Sequence, residues 1–278
     1  MNTLEESTVR TRDYYNSSDA DTFYHEIWGG EDIHIGIAQK EGESIGEASR
    51  RTVETMAARL LHKEPGTRVL DLGSGYGGSA RFLARHRGMD VVCVNLSEKQ
   101  NARNRALNES AGLVDRITVL DGSFEDIPCG DGLFDVVWTQ DAILHGSDRR
   151  EIFREVDRVL KAGGEWIFTD PMQQAGVPKR DLGPVLSRLQ LESLGSVEEY
   201  RSYAADLGWE EVGVEEMPDQ LGRHYQQVHE QLSFRRPQLA GRVSEDYIQL
   251  MLAGLMHWVE ASRACRLNWG ILHFRKPA

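Results

Sequence analysis

The chain has 278 residues, of which 40% are apolar and 27% charged, a globular balance that sets aside disordered, collagenous and disulfide-scaffold classes. At roughly 150 residues per domain, this length corresponds to two domains or to one large α/β domain with appendages. Lys and Arg number 32 against 44 Asp and Glu, for a net charge of −12; that excess repels phosphate backbones and anionic membranes, so the expected partner is a small molecule rather than a nucleic acid or a membrane.

Taken in chain order, the first residues carry acids where a secretion signal would place bases, and no later stretch is long and apolar enough to span a bilayer. Cys93, Cys129 and Cys265 stand far apart, with neither CxxC nor ligand spacing, so a reducing cytoplasm and no cysteine-based metal site are expected. Residues 1 to 67 read as polar helices and an aromatic-rich run, Phe23 to Gly30. Between Arg68 and Phe168 short apolar runs alternate with helical periodicity, the pattern of βαβ units on a parallel sheet. Val69–Leu72, Asp90–Val94, Ile117–Leu120, Phe134–Trp138 and Trp166–Phe168 are the predicted strands, short and apolar as buried strands are. Helices are predicted from about Gly77 to Arg87, from Ser97 onward, and from about Asp148 to Leu160 with a stop at Gly163-Gly164. A helix over Val197–Leu207 and strands over Trp209–Val214 and Asn268–Phe274 follow. The helical stretch Gln220–Arg263 between those strands is longer than a connection requires and reads as a functional insertion.

Asp71-Leu-Gly73-Ser-Gly75-Tyr-Gly77-Gly78 joins the first strand to a helix. Glycines there let the backbone turn sharply and approach a ligand where a Cβ would collide. Gly73, Gly75 and Gly78 satisfy G-x-G-x-x-G, so a nicotinamide oxidoreductase is one reading. Asp71 argues for a different ligand, because a carboxylate beside the loop suits an ammonium group and opposes a pyrophosphate.

Val69 to Gly78, Phe134-Asp-Val-Val-Trp138, Leu144-His145-x-x-Asp148 and Arg158 to Gly164 together resemble the successive motifs of class I S-adenosylmethionine-dependent methyltransferases. The resemblance implies a Rossmann-like, mostly parallel α/β sheet of seven strands with helices on both faces, and S-adenosylmethionine as cofactor. It places Gly73 and Gly75 at the methionine part, with Asp71 supporting its ammonium group. Asn95 stands where the family usually has an acid for the ribose hydroxyls; an amide can accept from one hydroxyl and donate to the other. Leu96, Gln100 and Gln140 join this set, and Ser123 and Phe124 are left to hold adenine.

The flanks carry a closer likeness. Phe23-Tyr24, Ile27-Trp28 to Gly36, Val94 to Ser97, Gln140-Asp141, Thr169 to Met172, Arg223-His-Tyr225 and Gly254 to Trp258 resemble the sarcosine/dimethylglycine N-methyltransferases that make glycine betaine. This implies an N-terminal helical lid over 1–67, a cofactor core over 68–170, and a remainder, 171–278, whose helical insertion covers the substrate within one compact domain. It also places Trp28 over the cofactor and Pro171 and Met172 at the amine substrate. Methylation of another small amine, such as phosphoethanolamine, or of a lipid is the alternative.

Methyl transfer requires an amine held in line with the methyl and water excluded. Aromatic faces stabilise the growing alkylammonium, which makes Tyr24, Trp28, Tyr200, Tyr225 and Trp258 candidates, Trp28, Tyr225 and Trp258 being equally readable as core aromatics. Arg201, Arg223 and His224 are the candidates for the substrate carboxylate. His145 follows the fourth strand, at the sheet edge where ligands of open α/β folds sit, and is the expected catalytic residue, orienting the amine or taking its proton. No metal is expected, and monomer and homodimer remain open.

Overall fold

The computed structural model, which describes residues 3–40, 42–189 and 191–278, is organised around one sheet of seven strands. Helices α1 (Thr3–Asn16), α2 (Ser18–Phe23) and α3 (Ile45–Arg59) precede the first strand. Strands β1 (Arg68–Leu72), β2 (Asp90–Asn95), β3 (Ile117–Asp121) and β4 (Phe134–Gln140) then alternate with α4 (Gly78–Arg87) and α5 (Glu98–Ser110). After α6 (Arg149–Val159) come β5 (Leu160–Gln173), α7 (Gly183–Leu189), α8 (Val197–Asp206), β6 (Glu210–Glu216), α9 (Pro218–Leu239), α10 (Glu245–Arg263) and β7 (Leu267–Arg275). The spatial order is β3-β2-β1-β4-β5-β7-β6, with β7 antiparallel to both of its neighbours.

Side chains cap most of these helices where the chain enters them. Ser17, Ser97, Asp148, Ser196 and Ser244 each accept a bond from a backbone N–H of the first turn, and Ser44 forms a reciprocal capping box with Glu47. Apolar packing then assigns the layers. On one face Val53 and Met56 of α3 and Leu83 of α4 pack with Val69 and Trp138, while on the other Phe153 and Val156 of α6 and Tyr200 of α8 pack with Trp166 and Phe168. A separate cluster gathers α2, α7, α9 and α10 at the carboxyl edge of the parallel strands. Within the N-terminal part, α1, α2 and the turn after α2 lie over this edge, whereas Val53 and Met56 of α3 pack in a sheet layer.

Two boundaries differ from the sequence expectation. The fifth strand reaches Gln173 because β7 pairs with it from Glu165 through Gln173, and pairing with a strand that follows much later leaves no local signature. The glycine pair read as a helix stop lies inside this strand: α6 already ends at Val159, and Gly163, at φ +75°, turns the chain where the register with β4 breaks. The insertion Gln220–Arg263 is two helices rather than one stretch, divided at Gly241, at φ +76°, and restarted by the Ser244 cap.

Candidate active site

A cleft of about 760 Å³ opens at the carboxyl ends of β1, β2 and β4, where strand order reverses and ligands of open α/β sheets bind. The glycine loop forms its floor. Gly73 adopts φ +81°, and a Cβ there would sit 2.5 Å from Cβ of Ala142; only glycine keeps that approach open. Asp71 is buried behind the loop with Oδ2 unpartnered, and burial raises its carboxyl to about 7. Asn95 ends β2 and donates to Oε1 of Gln100 at 3.0 Å, and both line the cleft beside Leu96. Ser123, whose hydroxyl donates to Glu125 at 2.6 Å, and Phe124 form the opposite wall. Gln140 accepts from Ser79 at 2.5 Å and from Trp138 at 2.9 Å, leaving its own Nε2 unpartnered. Next to it Asp141 takes φ +51°, a conformation non-glycine residues rarely adopt. It is held there by the Ile35 amide at 2.5 Å and the Trp269 indole N–H at 2.7 Å.

The roof comes from the N-terminus. Asn16 at the end of α1 accepts from Ser97 at 2.7 Å, and Asp21 of α2 accepts from Tyr76 at 2.8 Å and Arg103 at 2.7 Å. Beyond α2 the chain takes one π-helical turn, Tyr24–Trp28, a feature concentrated at functional sites. This puts the Tyr24 and Trp28 rings 5.2 Å apart over the edge. Tyr15 of α1 is hydrogen-bonded through Oη to Nε2 of His145 at 2.9 Å. Burial drops the His145 imidazole to about 4, with the nearby Arg188 charge adding to the effect, so the ring is neutral at pH 7. Asp170 fixes the turn that carries His145: it accepts from the Leu144 amide at 3.0 Å and from the Tyr200 hydroxyl at 2.6 Å.

A second cavity lies on the far side of His145. Thr11, Tyr15 and His145 line both spaces, and Tyr14, Leu144, Arg188 and Ser193 close the second one. Most residues singled out in the sequence thus fall into two groups. Gly73, Gly75, Asn95, Leu96, Gln100, Ser123, Phe124, Gln140, Tyr24 and His145 line the first cleft, with Asp71 behind the loop in an adjoining recess. Trp28, Tyr225 and Trp258 form an aromatic box, Tyr225 stacked on Trp258 at 4.7 Å and edge-on to Trp28 at 5.5 Å.

The remaining candidates lie elsewhere. Arg201 is half exposed and ion-paired with Glu211 at 2.7 Å, away from both cavities, because it sits on the outer side of α8. Arg223 is exposed. His224 is buried, accepts from the Gly36 amide at 3.2 Å, and is driven down to about 3 by burial, so it carries no positive charge for a carboxylate. Pro171 and Met172 lie within β5 opposite Trp269 and Asn268, outside the lining of either cavity, with Met172 packed in the cluster that contains Tyr200. Tyr200 itself reaches the site only through Asp170.

Sequence reading missed Tyr14, Tyr15, Asp141 and Arg188. Tyr14-Tyr15 passed as part of a polar helix. Arg188 had one available signal: it follows Val185 and Leu186 and precedes Leu189, a lone cation on an apolar helix face, which is rare unless that cation is partnered.

A sheet ending in an antiparallel seventh strand, a glycine cradle at the reversal point and an unpartnered carboxylate behind it define a class I methyltransferase, and residues 70–168 match the methyltransferase domain family. The chain is 49% identical to the sarcosine/dimethylglycine N-methyltransferase of Aphanothece halophytica, over 96% of this chain and 97% of that one. It is 44% identical to the dimethylglycine N-methyltransferase of Parasynechococcus marenigrum, over 95% and 94% of the two chains. A Galdieria sulphuraria crystal structure provisionally assigned as a sarcosine dimethylglycine methyltransferase superposes with a TM-score of 0.90 at 42% identity, over 95% of this chain and 99% of that one. The chain belongs to the sarcosine/dimethylglycine N-methyltransferase family.

Proposed function

We propose that the protein methylates sarcosine and N,N-dimethylglycine, yielding glycine betaine, with S-adenosylmethionine as methyl donor. The observation that carries this reading is the pair of adjoining spaces divided by Tyr15 and His145: a cleft built for a large polar ligand, and beyond it a smaller chamber with partly polar walls. Four relatives, 44–50% identical over 95–98% of this chain, are all named for methylation of dimethylglycine, and three of them for sarcosine as well. A lipid acceptor calls for a broad apolar tunnel, whereas the lining of the chamber mixes Leu144, Leu189 and Leu191 with Tyr15, His145, Arg188, Glu192 and Ser193.

The cofactor supplies an electrophilic methyl group on a sulfonium. Asp71, its Oδ2 unpartnered, suits the cofactor's ammonium group; Asn95, with Leu96 and Gln100 beside it, suits the ribose; Ser123 and Phe124 suit adenine; and Gln140 Nε2 offers a further donor. On the acceptor side the nitrogen must arrive unprotonated. A tertiary amine has no proton to lose after attack, while a secondary amine has one. Neutral His145, steadied by Tyr15, suits orienting the nitrogen by a hydrogen bond, and the proton of a secondary amine leaves to solvent.

The test is a panel of amines offered with radiolabelled S-adenosylmethionine. Label is expected in betaine from dimethylglycine and sarcosine; label appearing only in a phosphoethanolamine or lipid product refutes the proposal.

A further inference from the structure

Helix α7 buries a charge, Arg188, that has no acid within ion-pair distance among the described residues, although Glu192 lines the same chamber. Arg188 is 7% exposed, and its guanidinium carbon lies 5.8, 5.4 and 5.6 Å from the rings of Trp28, Tyr225 and Trp258. Among the described residues its one polar bond is donated from Nη2 to the Tyr225 hydroxyl at 3.2 Å, while Nε and Nη1 are buried without a partner there. Among the described residues it forms no ion pair. Gly254 of α10 is shaped around its stem: a Cβ there would stand 2.6 Å from Cδ of Arg188. Aromatic faces attract a guanidinium but do not accept its N–H bonds as a carboxylate does. A charge buried without a counter-charge is strongly unfavourable, so an arginine kept here, in a box that holds the fork in place, fits a site completed by an anion.

Arg188 lines the chamber behind His145, together with Ser193 and one acid, Glu192. We propose that Arg188 is the carboxylate receptor of the acceptor site, holding a short zwitterionic amine by its carboxylate so that its nitrogen lies toward His145 and the donor cleft. The aromatic box therefore serves the arginine first and the alkylammonium second. Zwitterions with the nitrogen close to the carboxylate are accepted, and amines without a carboxylate are poor substrates because they leave the guanidinium unpaired. This assignment rests on the reading of the acceptor as a glycine derivative.

Two measurements on the full-length chain test it. In the unaltered protein with S-adenosylhomocysteine, calorimetry compares 3,3-dimethylbutyrate, which has the carboxylate but no nitrogen, with 3,3-dimethylbutan-1-ol, which has neither charge. The carboxylate is expected to bind more than about tenfold tighter, and equal binding overturns the proposal. In Arg188→Gln, KM for dimethylglycine is expected to rise about a hundredfold, turnover of N,N-dimethylethanolamine is expected to stay level, S-adenosylmethionine affinity is expected to hold, and Arg188→Lys is expected to recover part of the loss. An equal loss for both amines, or none for dimethylglycine, overturns it. If the unaltered protein leaves dimethylglycine unmethylated, the proposed reaction fails, while the calorimetric pair still decides the role of Arg188.

Discussion

The donor cleft and the acceptor chamber share one wall but are built in opposite ways. The cleft is local: Asp71, Gly73, Asn95, Ser123 and Gln140 each sit at or just beyond the end of a strand, so a strand-to-loop switch places them. The chamber and its box are assembled from α1, the π-helical turn, α7, α9 and α10, whose contributing side chains run from Thr11 to Trp258. A local site can be recognised from spacing, and its residues can be replaced one at a time. A site made of distant helices is also the core of its region, so its substitutions act on stability and on acceptor binding together.

The largest effect expected from this contrast is that of Trp258→Ala. Removing a fully buried ring stacked on Tyr225 is expected to destabilise the fold by about 3–5 kcal/mol in urea melts, while the folded fraction keeps its affinity for S-adenosylmethionine. A parallel fall in that affinity breaks the separation between the two regions. The second effect belongs to Asp71. Burial holds its free carboxyl near 7, partly offset by the Arg81 charge, and only the ionised form attracts a cation. Affinity for S-adenosylmethionine is therefore expected to fall as pH drops below about 7, approaching about tenfold, or about 1.4 kcal/mol, per unit. Asp71→Asn is expected to bind weakly and without this slope when the same titration is followed by calorimetry. Asn95→Ala is expected to lower cofactor affinity by about 1 kcal/mol, about fivefold, with KM for dimethylglycine unchanged. Arg201→Ala is the smallest: an exposed pair with Glu211 contributes within about 0.5 kcal/mol, and steady-state kinetics are expected to match the parent. A raised KM there would return Arg201 to the acceptor side.

The same contrast explains what the sequence made legible. The first four strands, the cap residues and the glycine cradle were readable because apolar runs, Ser or Asp at helix starts and Gly at positive φ are enforced within a few residues. The length of β5 was hidden because β7, which extends it, comes about a hundred residues later in the chain. Among the functional candidates, the donor-side residues were found by position at strand ends. Arg201, Arg223 and His224 were offered for the carboxylate because cations on late helices were all that local pattern could supply, whereas the buried cation, Arg188, is defined by rings from three other segments.

Thr11, Tyr15 and His145 border both spaces, and α1 is tied down by the bond between Asn16 and Ser97. Thr11 and Tyr15 thus make α1 a wall common to both, and a substitution on that face of the helix touches donor and acceptor spaces at once.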